Sequence, residues 1–395
     1  MINQNIMEHT HNIIEERAAL AKKWLLNSQI QTLNNLKGSS FFGSFSSWFD
    51  LDRKMYPFVY SEITGYGITT LLFLNHQATD SSLVKRAEFA ARWLDVVTAH
   101  KDGGFRCVIS HEDNSFRHKE VQTYTFDAGV ILNGFTNLYR ATQKKQYLRT
   151  ASDIVQWFSK MRNNDGILEA VYDIEKNEIV RSDESWSMQP GCYLAKNAIG
   201  ILNFYDLTKD ENAKKMAIEL CDYALKEQEK DGRFLCSSKK HTNIHPHSYA
   251  AEGLLCAGIY LKEKKYIEAA TRATEWVLSK QREDGAIPRL FLEEENYHQR
   301  MDGIAQTIRL ATILIKKGCL DKKYNKNVEK LITLLLQHQY TDKSLNQDGG
   351  FLFGYSSGGE PIRNVNAWCT MFALQALQWY TREKIDDEEI TRFFI

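Results

Sequence analysis

Two carboxylates in this chain, Glu62 and Asp127, occupy matching places, each following a tyrosine by a few residues and opening an apolar run. The segments are Tyr60-Ser61-Glu62-Ile63-Thr64-Gly65-Tyr66 and Gln122-Thr123-Tyr124-Thr125-Phe126-Asp127. Two carboxyls in unlike surroundings can divide acid and base roles, one staying protonated against an apolar wall. Glycosidic bond cleavage uses such a pair, and their separation sets the stereochemical course. Spacing along the chain gives no separation, so neither retention nor inversion is selected; equally, one could cap a helix while the other pairs with an arginine. A second group is His245-Pro246-His247-Ser248-Tyr249, with Glu252 one turn on. A histidine near its ordinary pKa of about 6.5 is a base suited to taking a proton from a sugar carbon, as an epimerase or lyase would. A plain surface turn is the alternative for His-Pro-His. Arg300, with Arg289 or Arg363, offers a fork that would hold a carboxylate, which suits an acidic, uronic-type saccharide.

Further clusters have the same make-up. Glu184-Ser185-Trp186 leads to Gln189-Pro190, Arg300 to Asp302 and Gln306, and Arg363-Asn364 to Asn366 and Trp368. Ser, Asp and Asn at such places are ordinary helix caps, Asp127 and Asp302 above all. Capping leaves unexplained why Tyr60, Trp186, Tyr249 and Trp368 arrive at the same level. Flat aromatic faces beside carboxylates, amides and arginine make the usual surface for a sugar. The candidate set is therefore Glu62, Asp127, His245 and His247 for proton transfer. Tyr60, Tyr66, Tyr124, Trp186, Gln189, Tyr249, Glu252, Arg300, Asp302, Asn366 and Trp368 are the candidates for binding. No metal is expected, because Cys192, His247 and Cys369 lack metal-ligand spacing. No cofactor is expected either: Gly103-Gly104 and Gly358-Gly359 lack the strand, lysine and helix of a phosphate loop.

These residues need elements to gather them, and the chain supplies a repeat. An aromatic residue precedes Asp-Gly at near-constant spacing: Trp93 and Asp102-Gly103, Trp157 and Asp165-Gly166, Tyr223 and Asp231-Gly232, Trp276 and Asp284-Gly285. Another copy ends at Asp348-Gly349-Gly350-Phe351, and a degenerate first runs from Trp24 through Gln29 to Gly43-Ser44-Phe45. A period of roughly 55–65 residues suits one helical hairpin per copy. Before each signal lies an amphipathic helix: in 211–230, Ala213, Met216, Ala217, Leu220, Cys221, Ala224 and Leu225 form one buried stripe. After it, segments 63–74, 126–139, 192–205, 249–261, 304–315 and 367–380 are apolar on most faces, as buried helices are. Six outer helices alternating with six inner ones predict an all-α, (α/α)6 toroid. Its inner helices all run one way, so their N-terminal ends and the short extended runs after Asp-Gly meet at one mouth. We expect a single domain over 1–395, with 381–395 as a peripheral tail.

Composition bounds the rest. Lys+Arg and Asp+Glu both number 50 in 395 residues, without the basic surplus of a nucleic-acid binder. No apolar run approaches the roughly 18 residues of a membrane span. The first residues lack the basic and apolar regions of a secretory signal, and the 7 cysteines are an odd number without a CxxC pair. A cytoplasmic location with reduced thiols is expected.

The hairpins, with their Trp, Gln and Asp-Gly spacing, resemble the repeats of squalene-cyclase and prenyltransferase toroids over nearly the whole chain. The stretch 366–377, Asn366-Ala-Trp368-Cys-Thr-Met-Phe-Ala-Leu-Gln-Ala-Leu, is similar to their last inner helix. The acid motif Asp-x-Asp-Asp of those cyclases is missing, and Asp386-Asp387 falls in the charged tail. The polar mouth resembles the sugar-active toroids: the N-acylglucosamine 2-epimerase group, the unsaturated glucuronyl hydrolases and the uronyl epimerases. The stretch 60–66 together with 125–129 is similar to segments of bacterial toroid proteins associated with surface polysaccharides. That resemblance implies an enzyme on a glycan, with hydrolysis, epimerisation and elimination all open. The alternatives are a terpenoid cyclase or prenyltransferase with a deep apolar cavity, and a non-catalytic glycan-binding toroid.

Overall fold

The helices alternate between an outer and an inner layer in the computed structural model, which describes residues 2–34, 40–110, 114–163, 166–183, 185–236, 241–292 and 294–395. Asp165 and Glu184 lie outside these residues. The outer layer comprises α1 (Ile2–Asn27), α3 (Ser81–Trp93), α5 (Lys145–Met161), α7 (Glu211–Lys226), α9 (Lys264–Ser279) and α11 (Asn325–Gln337). The inner layer comprises α2 (Ser61–Ala78), α4 (Thr125–Thr142), α6 (Ala198–Thr208), α8 (Ile244–Leu261), α10 (Met301–Lys316) and α12 (Ala367–Thr381). A 3-10 turn over Cys192–Asn197 leads into α6. The inner helices touch in the order α2, α4, α6, α8, α10, α12, and α12 returns to α2. The ring is closed: this is the expected (α/α)6 toroid.

Four of the Asp-Gly turns, with the degenerate turn at Gly43, show why their residues recur, whereas Gly166 meets only the Arg162 side chain. Gly43, Gly103, Gly232, Gly285 and Gly349 all adopt positive φ, and each lies against the main chain of the next outer helix. A Cβ on Gly349 would stand 2.3 Å from the Leu20 carbonyl oxygen. A glutamine ahead of the turn ties the same two strands of chain together. The Gln228 amide donates to the carbonyls of Gly232 and Ala269, Gln281 to Gly285 and Asn327, and Gln31 to Gly43 and Arg86. Gln339 donates to Gly349 and, across the ring closure, to Arg17. In the first copy Gln31 fills this role, two residues beyond the expected Gln29.

Short antiparallel strands sit on the mouth. Those leading directly into inner helices are β1 (Phe58–Tyr60), β2 (Gln122–Tyr124), β3 (Thr242–Asn243) and β4 (Pro361–Asn366). The first N–H of each following helix is taken by another hairpin: Ser61 donates to Cys107, Thr125 to Ala170, Ile244 to Arg289 and Ala367 to Ser47. These four helix starts are thus stitched to neighbouring hairpins.

The tail differs from expectation. Its charged stretch turns into a short helix, α13 (Asp387–Phe393), that packs against α2, α4, α6 and α8. Ile390, Phe393, Phe394 and Ile395 are buried there. Asn137 and Gln375 donate to the carbonyls of Arg392 and Phe393. Residues 387–395 are a plug at the far end of the ring, not a peripheral tail. The apolar residues that drive this stand behind the charges in sequence, so the charges dominate a first reading.

Among the described residues no helix is long and apolar enough to cross a membrane. Among the described residues no His, Cys, Asp or Glu group could hold a metal ion.

Candidate functional site

The mouth contains a cavity of about 150 Å³, walled by Tyr60, Glu62, Lys119, Tyr124, Phe126, Asp127, Trp186, His245, Tyr249, Arg300 and Trp368, among others. Strand ends supply Tyr60 and Tyr124, which stand at the N-caps of α2 and α4. The first turns of α2, α4 and α8 supply Glu62, Asp127 and His245. A larger groove of about 300 Å³, between the C-terminal ends of α10 and α12 and the start of α11, has two lysines and a tyrosine as its titratable groups. It lacks an acid–base pair.

The two carboxyls differ in their surroundings. Burial pushes Glu62 up to about 7, while the Tyr60 hydroxyl and Lys119 hold it from rising further. Asp127 is raised well above the ordinary carboxyl range, first by burial and then by the neighbouring Glu62 charge. Its Oδ2 is buried without a hydrogen-bond partner. Burial and the Glu62 charge therefore favour the protonated form of Asp127, while Glu62 stands near half-ionisation at neutral pH. Two like carboxyls within electrostatic reach do not ionise together.

On the opposite wall His245 is held by its Nδ1, 2.7 Å from Gln306 Oε1 and 3.4 Å from Asp302 Oδ2. Burial lowers it to about 4, against the pull of Asp302. It is a neutral imidazole at pH 7, and with Nδ1–H donated to these oxygens its Nε2 carries the lone pair. For Asp302, burial acts upward, but Arg300, His245 and the Trp368 indole outweigh it and hold the carboxyl at about 2. Arg300 Nη2 and Trp368 Nε1 both donate to Asp302 Oδ2, the latter at 3.1 Å. Asp302 thus orients three cavity residues from behind. Rings complete the walls: Tyr249 lies 4.4 Å from His245 and 4.5 Å from Phe126, and Trp186 stands edge-on to Tyr193 at 4.9 Å.

Other expected residues lie elsewhere. His247 points between layers, where Nδ1 accepts from Phe234 N–H and Nε2 lies 3.1 Å from the Ala273 carbonyl. Two residues after His245 on a helix, it faces the other side. Glu252 is buried one level down, bonded to Lys196 at 2.7 Å and Arg309 at 2.6 Å. Asn366 caps α12 through the Cys369 N–H, Gln189 ties its own loop to Ser182, and Tyr66 lies a turn below Glu62. Of the expected arginines, Arg289 donates to the Tyr355 carbonyl and Arg363 to Asp52. Lys119, Phe126 and Ser187 line the cavity without having been singled out. Lys119 ends a 3-10 turn ahead of β2, outside the helix starts on which the expectation rested.

Residues 106–273 match the family described as Glycosyl Hydrolase Family 88. That span is less than half of the chain and contains Asp127, Trp186, His245 and Tyr249. No curated protein matches in sequence. Among solved structures, cellobiose 2-epimerase from Bacillus thermoamylovorans B4167 is similar with a TM-score of 0.76 at 14% identity, over 94% of this chain and 99% of that one. A D-mannose isomerase gives 0.71 at 11% identity over 93% and 97%. Unsaturated glucuronyl hydrolase from Bacillus sp. GL1 gives 0.66 at 14% identity over 92% and 99%.

Proposed function

We propose that this chain is a carbohydrate-active enzyme that works on an acidic, uronic-type saccharide by carboxyl acid–base chemistry in the mouth cavity. The observation that carries this reading is that Glu62 and Asp127 line one cavity in unlike surroundings, Asp127 with its buried Oδ2 left without a hydrogen-bond partner. Asp127 serves as the acid, delivering its proton to the sugar, and Glu62 serves as the base that activates water. Trp186, Tyr249 and Trp368 stack on the ring faces. The family match over residues 106–273 and the glucuronyl hydrolase neighbour support hydrolysis. The cavity's carboxyl and imidazole groups fit this better than the apolar interior that terpenoid chemistry requires.

A second reading, epimerisation, is favoured by His245, whose neutral ring offers Nε2 to the cavity as a base. The two are separated by incubating the protein in D₂O with oligosaccharides that end in a uronic or unsaturated uronic residue, followed by mass spectrometry and NMR. Hydrolysis releases shorter products and is abolished by Asp127→Asn with binding retained. Deuterium entering a sugar carbon without chain shortening, lost in His245→Ala but not in Asp127→Asn, would replace hydrolysis with epimerisation. Full turnover by Asp127→Asn overturns the assignment of the acid.

A further inference from the structure

We infer that Lys119 is the residue that selects an anionic saccharide, its ammonium holding the substrate's carboxylate at the carboxyl side of the cavity. This rests on the function proposed above and names a residue and a charge logic for it.

The inference follows from counting charges around the cavity. Arg300, the cation first expected to clamp a carboxylate, is joined to the buried Asp302 and lies over the Phe353 ring at 4.5 Å. That pair is neutral as a unit. Deeper down, Lys196 and Arg309 are both bound to Glu252. Burial favours the uncharged forms of Asp127 and His245. Lys119 remains. It is half-buried on the cavity wall, and among the described residues no carboxylate lies within ion-pair distance of it. It is nonetheless close enough to Glu62 and Asp127 for its charge to favour the ionised form of both.

Among the wall residues, Lys119 leaves one net positive charge with Glu62 and Asp127 protonated, and ionisation of Glu62 cancels it. A neutral sugar gains nothing from that balance. An anionic sugar supplies the missing partner for a partly desolvated ammonium, and charge-assisted hydrogen bonds of this kind exceed neutral ones about twofold in strength. Placement also matters. A carboxylate seated on Lys119 brings its ring beside Glu62 and Asp127, whereas one seated on Arg300 would compete with Asp302 for the same guanidinium.

The test compares a uronic-acid-terminated disaccharide with its carboxyl-reduced, neutral counterpart. The wild type, Lys119→Met and Lys119→Arg are assayed for turnover, and each change is also placed in Asp127→Asn for calorimetric binding. The wild type is expected to favour the acidic sugar, with Lys119→Met raising its KM by about 10–100-fold. Any change that Lys119→Met makes through Glu62 is shared by both sugars, so the ratio of acidic to neutral kcat/KM is the readout: it should fall in Lys119→Met, mainly through KM, and Lys119→Arg should restore most of it. If the wild type acts on the acidic sugar and Lys119→Met keeps the preference, this inference fails and the proposed function stands. If the wild type acts on and binds neither sugar, the proposed function fails and the inference falls with it.

Discussion

A carboxyl that titrates near 7 inside a folded chain makes folding sensitive to pH. Glu62 is shifted from 4.5 to about 7, so the folded protein keeps a proton there that the unfolded chain has released. Its contribution is complete below pH 4.5 and is lost as pH rises through 7. Glu62→Gln cannot ionise. Scanning calorimetry should find the variant near wild type at pH 4 and more stable at pH 8, by on the order of 3 kcal/mol. The same pH dependence in both proteins would mean that Glu62 is well solvated. His245 and His247 show how far sequence reaches at this scale. Both are visible as candidate bases, and only their positions two apart on one helix separate a cavity residue from one that joins the layers.

At the scale of elements, the ring was legible because its repeat is enforced by backbone geometry. Asp-Gly turns demand positive φ and room against a neighbouring helix, so they recur wherever a hairpin docks. Apolar-all-round segments mark the inner helices for an equally simple reason. The mouth was legible too, since inner helices with a common direction must begin together. Lys119 was not, because a residue in a turn ahead of a strand has no periodicity to announce it. Gly349 tests the turn logic against Gly318. Both have positive φ, 99° and 72°, but a Cβ at Gly318 would meet nothing within 4 Å. Gly318→Ala should cost about 1 kcal/mol from backbone strain alone. Gly349→Ala adds a collision with the Leu20 carbonyl and should cost on the order of 3 kcal/mol. Equal losses in thermal melts would show that the turn does not need its close contact with α1.

Across the whole molecule, the axis of the ring is held by charges far apart in sequence. Lys196 and Arg309 converge on Glu252, and both also donate to the Ile395 main-chain oxygen. Arg309 further bonds Gln375 at 3.0 Å. The entrance to α6, together with α8, α10, α12 and the plug, is thereby joined at one buried point. Such a network is costly to desolvate and costlier to break, because removing one member leaves the others charged and unpaired. Glu252→Gln should therefore lower stability by about 3–5 kcal/mol. Adding Lys196→Met to it should recover part of that loss by removing one of the stranded cations. Saccharide binding, measured well below the melting temperature, should change little in either variant, because Glu252 lies beneath the cavity rather than in its wall. An unaltered melt with abolished binding would instead return Glu252 to the binding surface and make the axis network incidental to the fold.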